Sequence, residues 1–293
     1  MTESSEPPRP AGPTLENRLP AEGINSSAEH PLREFAWVVG ASVAALVLVA
    51  LLLGWASRWL APHVPFSAEL ALADRLPEPP EKDTGRAARS AALQALADRV
   101  ARQMGLPADM PLQVRSDASE LVNAYATLGG RIRVHEGLLR RLRSEDELAA
   151  LLAHEIAHVQ HRHVAANLGQ GLSMALLLSL LSSDAGARAV QAMLGQTAGV
   201  VMLGYNREQE SQADADALKA VAGLYGHTAG VKALFDRLRD SAEANAVPFA
   251  LLRSHPLTEA RVQAVQTGSL AAGWATQGPL TPLPAVLVLP GKP

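Results

Sequence analysis

The sequence predicts a mainly α-helical protein of the α+β class, with a small β-hairpin or sheet set among helices and a single apolar helix near the N-terminus. Three observations carry that reading. Aromatic residues are only 4% of the 293-residue chain and alanine is abundant, which favours helices over a β-sandwich. Apolar residues recur at helical spacing on both sides of residues 112–134, where short strand-like runs replace them. Residues 35–57 carry no charge at all.

Taken in order, residues 1–34 are rich in Pro, Ser and Glu and read as a disordered tail. Phe35 to Ser57, about 23 uncharged residues, is long enough to cross a hydrocarbon core of roughly 30 Å. Trp37 and Trp55 sit near its ends as interfacial anchors, and Arg33 and Arg58 bracket it. A transmembrane helix is therefore expected, since a cleaved signal peptide has a shorter apolar region nearer the N-terminus and a small-residue cleavage site. Residues 58–85 read as a linker, most irregular at Pro77 to Asp83. Leu93, Leu96 and Val100 then define an amphipathic helix from Ala87 to Met104, closed by Gly105. Leu112 to Val114, Leu121 to Leu128 and Arg131 to Val134 read as strands, the last two joined as a hairpin at Gly129-Gly130.

A capping box at Ser144-Glu145-Asp146-Glu147 starts the next helix, and Leu148, Leu151 and Leu152 form its apolar stripe. Residues 164–183 and 189–206 are uncharged for most of their length. Asn167, Gln170, Ser173, Gln191 and Gln196 interrupt them, so they read as buried helices packed on the helix after Ser144 rather than as membrane spans. Asn206 is an N-cap candidate for a further helix. Gly223 to Asp240 and Glu259 to Val265 complete a bundle, and the Pro-rich residues 268–293 read as an extended tail. One folded domain is expected over residues 86–267.

Composition narrows the chemistry. The net charge is −3 and there is no cysteine, so a thiol nucleophile, a Cys-rich metal site and a disulfide scaffold are excluded, and nothing points to nucleic acid. What the chain does contain is His154-Glu155-Ile156-Ala157-His158. On a helix this HExxH spacing puts two imidazoles one turn apart on one face, where both reach a single tetrahedral metal. Glu155 stands beside them, placed to act on water as a general base without being a ligand. Two His and a Glu on a buried amphipathic helix have no simple structural explanation, because buried ionisable groups cost several kcal/mol unless paired or metal-bound. A catalytic zinc of this type needs a third ligand and an open position. Roughly fifty residues on, Glu210 and Asp214 share a helix face at i, i+4, so that Glu210 can bind the metal while Asp214 holds the far nitrogen of a ligand imidazole. Glu208 and Asp216 project elsewhere.

The run from Glu147 to His163 (ELAALLAHEIAHVQHRH), then Arg207-x-x-Glu210-x-x-Ala213-Asp214, then Ser254-His255-Pro256 with Arg261, resembles the HtpX/CAAX-prenyl-endopeptidase family of membrane-associated zinc peptidases, most of all its BepA-like and mitochondrial Oma-like members. Asn123-Ala124-Tyr125, the Gly129-Gly130 turn and Gly137-Leu138-Leu139 extend the resemblance over roughly residues 86 to 267. It implies a zincin-like helical metallopeptidase domain with one Zn2+ per chain, held by His154, His158 and Glu210, with Glu155 as the base and Asp214 behind a ligand. It also places His255 where a His-Pro can approach the zinc, as an accessory or inhibitory ligand or as a donor to the oxyanion. Asn123, Ala124 and Tyr125 would lie on an edge strand that holds substrate as an added strand.

His161 and His163 follow the motif closely, but a continuing helix carries His163 about 140° round from His158. A role behind a ligand or at the helix end is expected for His163, and none for His161. His30, His63, His135 and His227 have no partners at ligand spacing. The expected activity is peptide-bond hydrolysis of peptide or unfolded-protein substrates, in quality control of membrane or envelope proteins. The alternative is a chaperone-like or binding module whose zinc is shielded by His255. Arg9, Arg18 and Arg33 before the apolar span outnumber Arg58 and Arg75 after it, a small bias that keeps the tail inside. In a Gram-negative bacterium that orientation makes a single-pass inner-membrane protein with a periplasmic catalytic domain.

Overall fold

The computed structural model describes residues 31–76, 78, 80–182, 184, 188, 204–243 and 250–289. Most of the tail expected over residues 1–34, and most of the stretch 189–206, lie outside the described residues. Two compact units are present, Met1–Val47 and Leu48–Pro293. Helix α1, Pro31–Leu60, contains the uncharged stretch. Phe35, Trp37, Leu51 and Trp55 on it are exposed, and Leu32–His63 is the one segment among the described residues long and apolar enough to cross a membrane. Large apolar side chains are left bare in this way where lipid or a partner covers them.

The expected linker is more structured than its prolines suggest. Helix α2, Phe66–Ala73, buries Phe66, Glu69 and Ala73. Glu69 accepts a hydrogen bond from Arg162 Nε at 2.7 Å and another from the Gly129 backbone N–H at 3.3 Å. Farther on, Glu78 ion-pairs with Arg115 at 3.4 Å and with Arg133. Sequence periodicity misses this segment because eight residues between prolines are too few to display a face. Helix α3, Thr84–Met104, begins where Asp83 accepts the Arg86 N–H and ends at Gly105, whose φ of 68° is the left-handed closure expected.

Three strands follow, β1 Gln113–Asp117, β2 Ala124–Thr127 and β3 Arg131–His135. The order is β1-β3-β2, with β1 parallel and β2 antiparallel to β3, so β2 is an edge. The hairpin is as expected, but its first strand starts at Ala124 rather than Leu121. Gly129 and Gly130 both have positive φ, and a Cβ at Gly130 would stand 2.2 Å from the Pro111 carbonyl oxygen, so the turn demands glycine. A short helix α4, Glu136–Leu139, leads on.

Helix α5, Glu145–Gln160, is the centre of the fold. Its capping box forms as expected, with Ser144 accepting from the Glu147 N–H while the Glu147 carboxylate reaches back, an arrangement worth about 1 kcal/mol. Every residue from Asp146 to Val159 is buried. Helix α6, His163–Leu181, departs from the expected buried helix: Ala166, Asn167, Ala175 and Leu177 are buried, yet Leu172 and Met174 are exposed. Helix α7, Arg207–Tyr225, is capped at Asn206 and closed by Gly226 at φ 76°. That left-handed glycine divides the helix expected over Gly223 to Asp240, and helix α8, Ala229–Glu243, starts afresh. Helices α9, Ala250–Ser254, and α10, Glu259–Ala271, follow. The Pro-rich C-terminal segment is extended as expected but docked. Thr281 C=O accepts the Glu145 N–H at 2.8 Å, Thr281 N–H donates to Asp146 Oδ2 at 2.9 Å, and Leu287 is fully buried. Burial of that leucine contributes about 1.5–3 kcal/mol, so this segment braces the start of α5.

Candidate metal centre

Two helices build the site, and each is started by a cap that fixes its register. Helix α5 carries His154, Glu155 and His158, all buried. Helix α7 lies against it and brings Glu210 and Asp214 to the same place. The turn after α9 adds His255. One ligand atom each from His154, His158, Glu210 and His255 lies within 4.8 Å of all the others. His154 Nε2 and His158 Nε2 are 3.2 Å apart, and Glu210 Oε1 is 3.5 Å from His158 Nε2. His255 Nδ1 is 2.8 Å from Glu210 Oε1 and 3.2 Å from His154 Nε2.

This geometry brings together every metal-ligating residue expected from sequence and adds His255 as a fourth donor. Asp214 Oδ1 lies 3.0 Å from His154 Nδ1, the position foreseen for a carboxylate behind a ligand. Asn123, Ala124 and Tyr125 run into β2, beside α5. His135 N–H donates to the Asn123 carbonyl, so by antiparallel alternation Asn123 and Tyr125 bond inward to β3. The main-chain groups of Ala124 and Ala126 point away from β3, but both residues are buried, and the outward carbonyl of Val122 before them already accepts the Leu251 N–H.

Electrostatics keep the two carboxylates of the group ionised despite their burial. Burial alone would raise the Glu210 pKa, but contacts with His158 and His255 outweigh it and hold the carboxyl well below its usual range. Asp214 is likewise lowered against its burial, by Arg261 and His154. Burial pushes His158 well down, so its imidazole is neutral with a lone pair to give. At His154 burial is overcome by the Asp214 hydrogen bond, which raises its pKa. The donor set, two imidazoles and a carboxylate, suits zinc. A second observation fits a metal-activated water: Glu155 is fully buried, and neither of its carboxylate oxygens has a hydrogen-bond partner among the described residues. A buried carboxylate left this way costs several kcal/mol unless something polar faces it. His255 Nε2 is 3.6 Å from Glu155 Oε1. An apolar cavity lined in part by Leu151, Leu234, Phe235 and Leu251 borders His154, Glu155 and His255, and this hydrocarbon wall strengthens the interactions of the charges beside it.

Two supports escaped the sequence reading, and a third, His163, stands behind a ligand as expected but by an unexpected route. Arg261 donates from Nε and Nη2 to both oxygens of Asp214, each at 2.7 Å, and its Nη1 lies 2.5 Å from Glu210 Oε2. The arginine was visible within the resemblance, but its partners lie some fifty residues away. Tyr205 stacks on His158, centroids 3.6 Å apart and planes 14° from parallel; standing just before an N-cap, it gave no signal. Third, His163 does reach a ligand: its Nδ1 is 2.9 Å from His158 Nδ1. A continuing helix would have carried it away. Instead α5 ends at Gln160 with His161 as its cap, and Arg162 takes φ 60°, which breaks the helix and turns His163 back to the site. Burial lowers the His163 pKa to about 4, so that ring is neutral. Arg162 is the only non-glycine residue with positive φ among the described residues, and its ion pair with Glu69 holds it there.

The profile of Peptidase family M48 matches residues 87–268. Among individual relatives, a putative beta-barrel assembly-enhancing protease of Vibrio cholerae is 34% identical over 152 residues, which are 48% of this chain and 31% of that protein. The beta-barrel assembly-enhancing protease of Escherichia coli K12 is 28% identical over 151 residues, 48% of this chain and 31% of its own length. The mitochondrial metalloendopeptidase OMA1 of Schizosaccharomyces pombe is 29% identical over 147 residues, 49% of this chain and 42% of the relative. The chain thus spans less than half the length of these relatives.

Proposed function

Because the chain belongs to peptidase family M48, we propose that it is a zinc-dependent endopeptidase whose catalytic domain is residues 86–267. The observation that carries this reading is the convergence of His154, His158, Glu210 and His255 beside the unpartnered carboxylate of Glu155. His154, His158 and Glu210 would hold one Zn2+ per chain. Zinc bound there supplies Lewis acidity, lowering the pKa of a water toward about 7 and polarising a carbonyl. Glu155 receives the proton of the attacking water on a carboxylate oxygen and delivers it to the leaving nitrogen, so one residue serves as base and then as acid. Asp214, clamped by Arg261, holds the Nδ1–H of His154 and keeps its Nε2 toward the site. Substrate binding as an added strand at Asn123, Ala124 and Tyr125 requires this edge to be uncovered first, because Ala124 is fully buried. The side chain of Asn123, with a buried and unpartnered Oδ1, and that of Tyr125 flank this edge.

His255 decides how active the resting site is. A catalytic zinc keeps one position open, whereas four protein donors close it. With His255 in place the site is shielded, and the imidazole withdraws to admit substrate. The same observation favours a second reading, a chaperone-like or binding module with a weakly active zinc. His255→Ala separates the two. The endopeptidase reading expects casein hydrolysis by the detergent-solubilised variant to rise several-fold above wild type. A loss of tenfold or more would give His255 the role of a donor to the oxyanion, and inactivity of both proteins toward unfolded substrates would favour the binding module.

The exposed apolar helix α1 and the likeness to membrane-associated proteases support a role in quality control of membrane or envelope proteins, with residues 35–57 as a single anchor. The arginine bias supports a periplasmic catalytic domain in a bacterial inner membrane. A reporter active only outside the cytoplasm, fused after Pro293, is expected to be active. A cytoplasm-only reporter active at that position would reverse the orientation and leave the zinc chemistry untouched.

A further inference from the structure

Behind His158 lies a chain of side chains that the reaction as described does not use. His158 turns Nε2 to the metal group and Nδ1 toward His163 Nδ1, 2.9 Å away. From there His163 Nε2 is 3.2 Å from Gln212 Oε1, Gln212 Nε2 is 3.1 Å from His161 Nδ1, and His161 Nε2 is 2.6 Å from Asp216 Oδ2. An imidazole that gives one lone pair to a metal carries its proton on the other nitrogen. His158 therefore donates from Nδ1, and that choice fixes everything beyond it. His163 accepts at Nδ1, so its own proton is on Nε2 and goes to the Gln212 carbonyl. The Gln212 amide then donates to His161 Nδ1, which leaves His161 protonated on Nε2 and donating to the Asp216 carboxylate. Each link uses one donor and one acceptor, and none is opposed.

We propose that His163, Gln212, His161 and Asp216 are a positioning relay that holds His158 in its Nδ1–H tautomer and connects it to a carboxylate. This rests on the reading of the site as a zinc centre. His154 obtains the same support from Asp214 in one step. The two ligands differ because their surroundings differ. His158 has no exposed side-chain surface, while the side chains of His161 and Asp216 are 28% and 34% exposed. A second buried carboxylate against His158 would bear a heavy desolvation cost. The relay instead passes neutral groups through the interior and leaves the charge where water reaches it. The helix break at Arg162 makes this possible, because it brings the rings of His161 and His163 alongside each other, 5.5 Å apart. Gln212 and Asp216, at i and i+4 on α7, supply the facing partners.

The test is zinc affinity of the full-length, detergent-solubilised protein, measured by competition with a chelator, with the visible spectrum of the Co2+-substituted form as a second readout. Asp216→Asn is isosteric and part-exposed and leaves the fold intact, while His161→Phe breaks the relay at its middle. Each is expected to weaken zinc binding by about 10- to 100-fold and to alter the Co2+ spectrum, with one metal still bound at saturation. The double variant is expected to be no weaker than His161→Phe alone, since a broken chain cannot be broken twice. A solvated His–Asp pair with no link to the metal would leave affinity and spectrum at wild-type values, and unrelated local damage would make the two losses multiply; either result overturns the relay. Tight zinc binding by wild type with unmoved variants sinks the relay alone, whereas a wild type that binds no zinc removes the metal site and the relay with it.

Discussion

Glu155→Gln is expected to keep a full complement of zinc and to lose peptide hydrolysis by about 10²- to 10⁴-fold, the range for removal of a general base. The substitution preserves shape and hydrogen-bonding length, so the packing of α5 against α7 is unchanged. Glu155 is not among the clustered donors, whose set is His154, His158, Glu210 and His255. What is lost is the ability to take and return a proton. Zinc content by elemental analysis and casein hydrolysis, measured on one preparation, check both halves together. Turnover near wild type would remove Glu155 from the mechanism, and loss of zinc would make it part of the metal's support instead.

Much of this site was legible because local rules wrote it. The HExxH spacing, the capping box at Ser144 and the Asn206 cap each operate within one or two helical turns, and each fixes a register that the structure keeps. With both registers set, Glu210 and Asp214 reach α5 by helical geometry alone. Features that depend on long-range partners were not legible. Arg261 clamps a carboxylate 47 residues away, and the docked C-terminal segment that buries Leu287 returns to the start of α5 across 135 residues. The contacts of His161 with Gln212 and Asp216 were not legible either, since its partners lie on another helix. The placement of His163 by one continuous helix missed the left-handed Arg162, stabilised by Glu69 from the expected linker, which breaks that helix. The same oversight hid α2, whose buried Glu69 gains its meaning only when Arg162 and Gly129 arrive.

Removing a ligand should have the largest effect on the metal itself. His154→Ala, His158→Ala and Glu210→Ala each leave at most two of the three proposed ligands and His255, and none offers a replacement donor at ligand distance. In the Glu210 variant Arg261 also loses the carboxylate 2.5 Å from its Nη1, so a positive charge faces the metal and repels it. The outcome most sensitive to the assignment is therefore Glu210→Ala, because Glu208, two residues earlier, is exposed and turned away from the clustered donors. Elemental analysis of purified protein is the direct measurement. One zinc per chain in wild type and none retained by Glu210→Ala is the expected result; a wild type without zinc, or full retention by that variant, would contradict it.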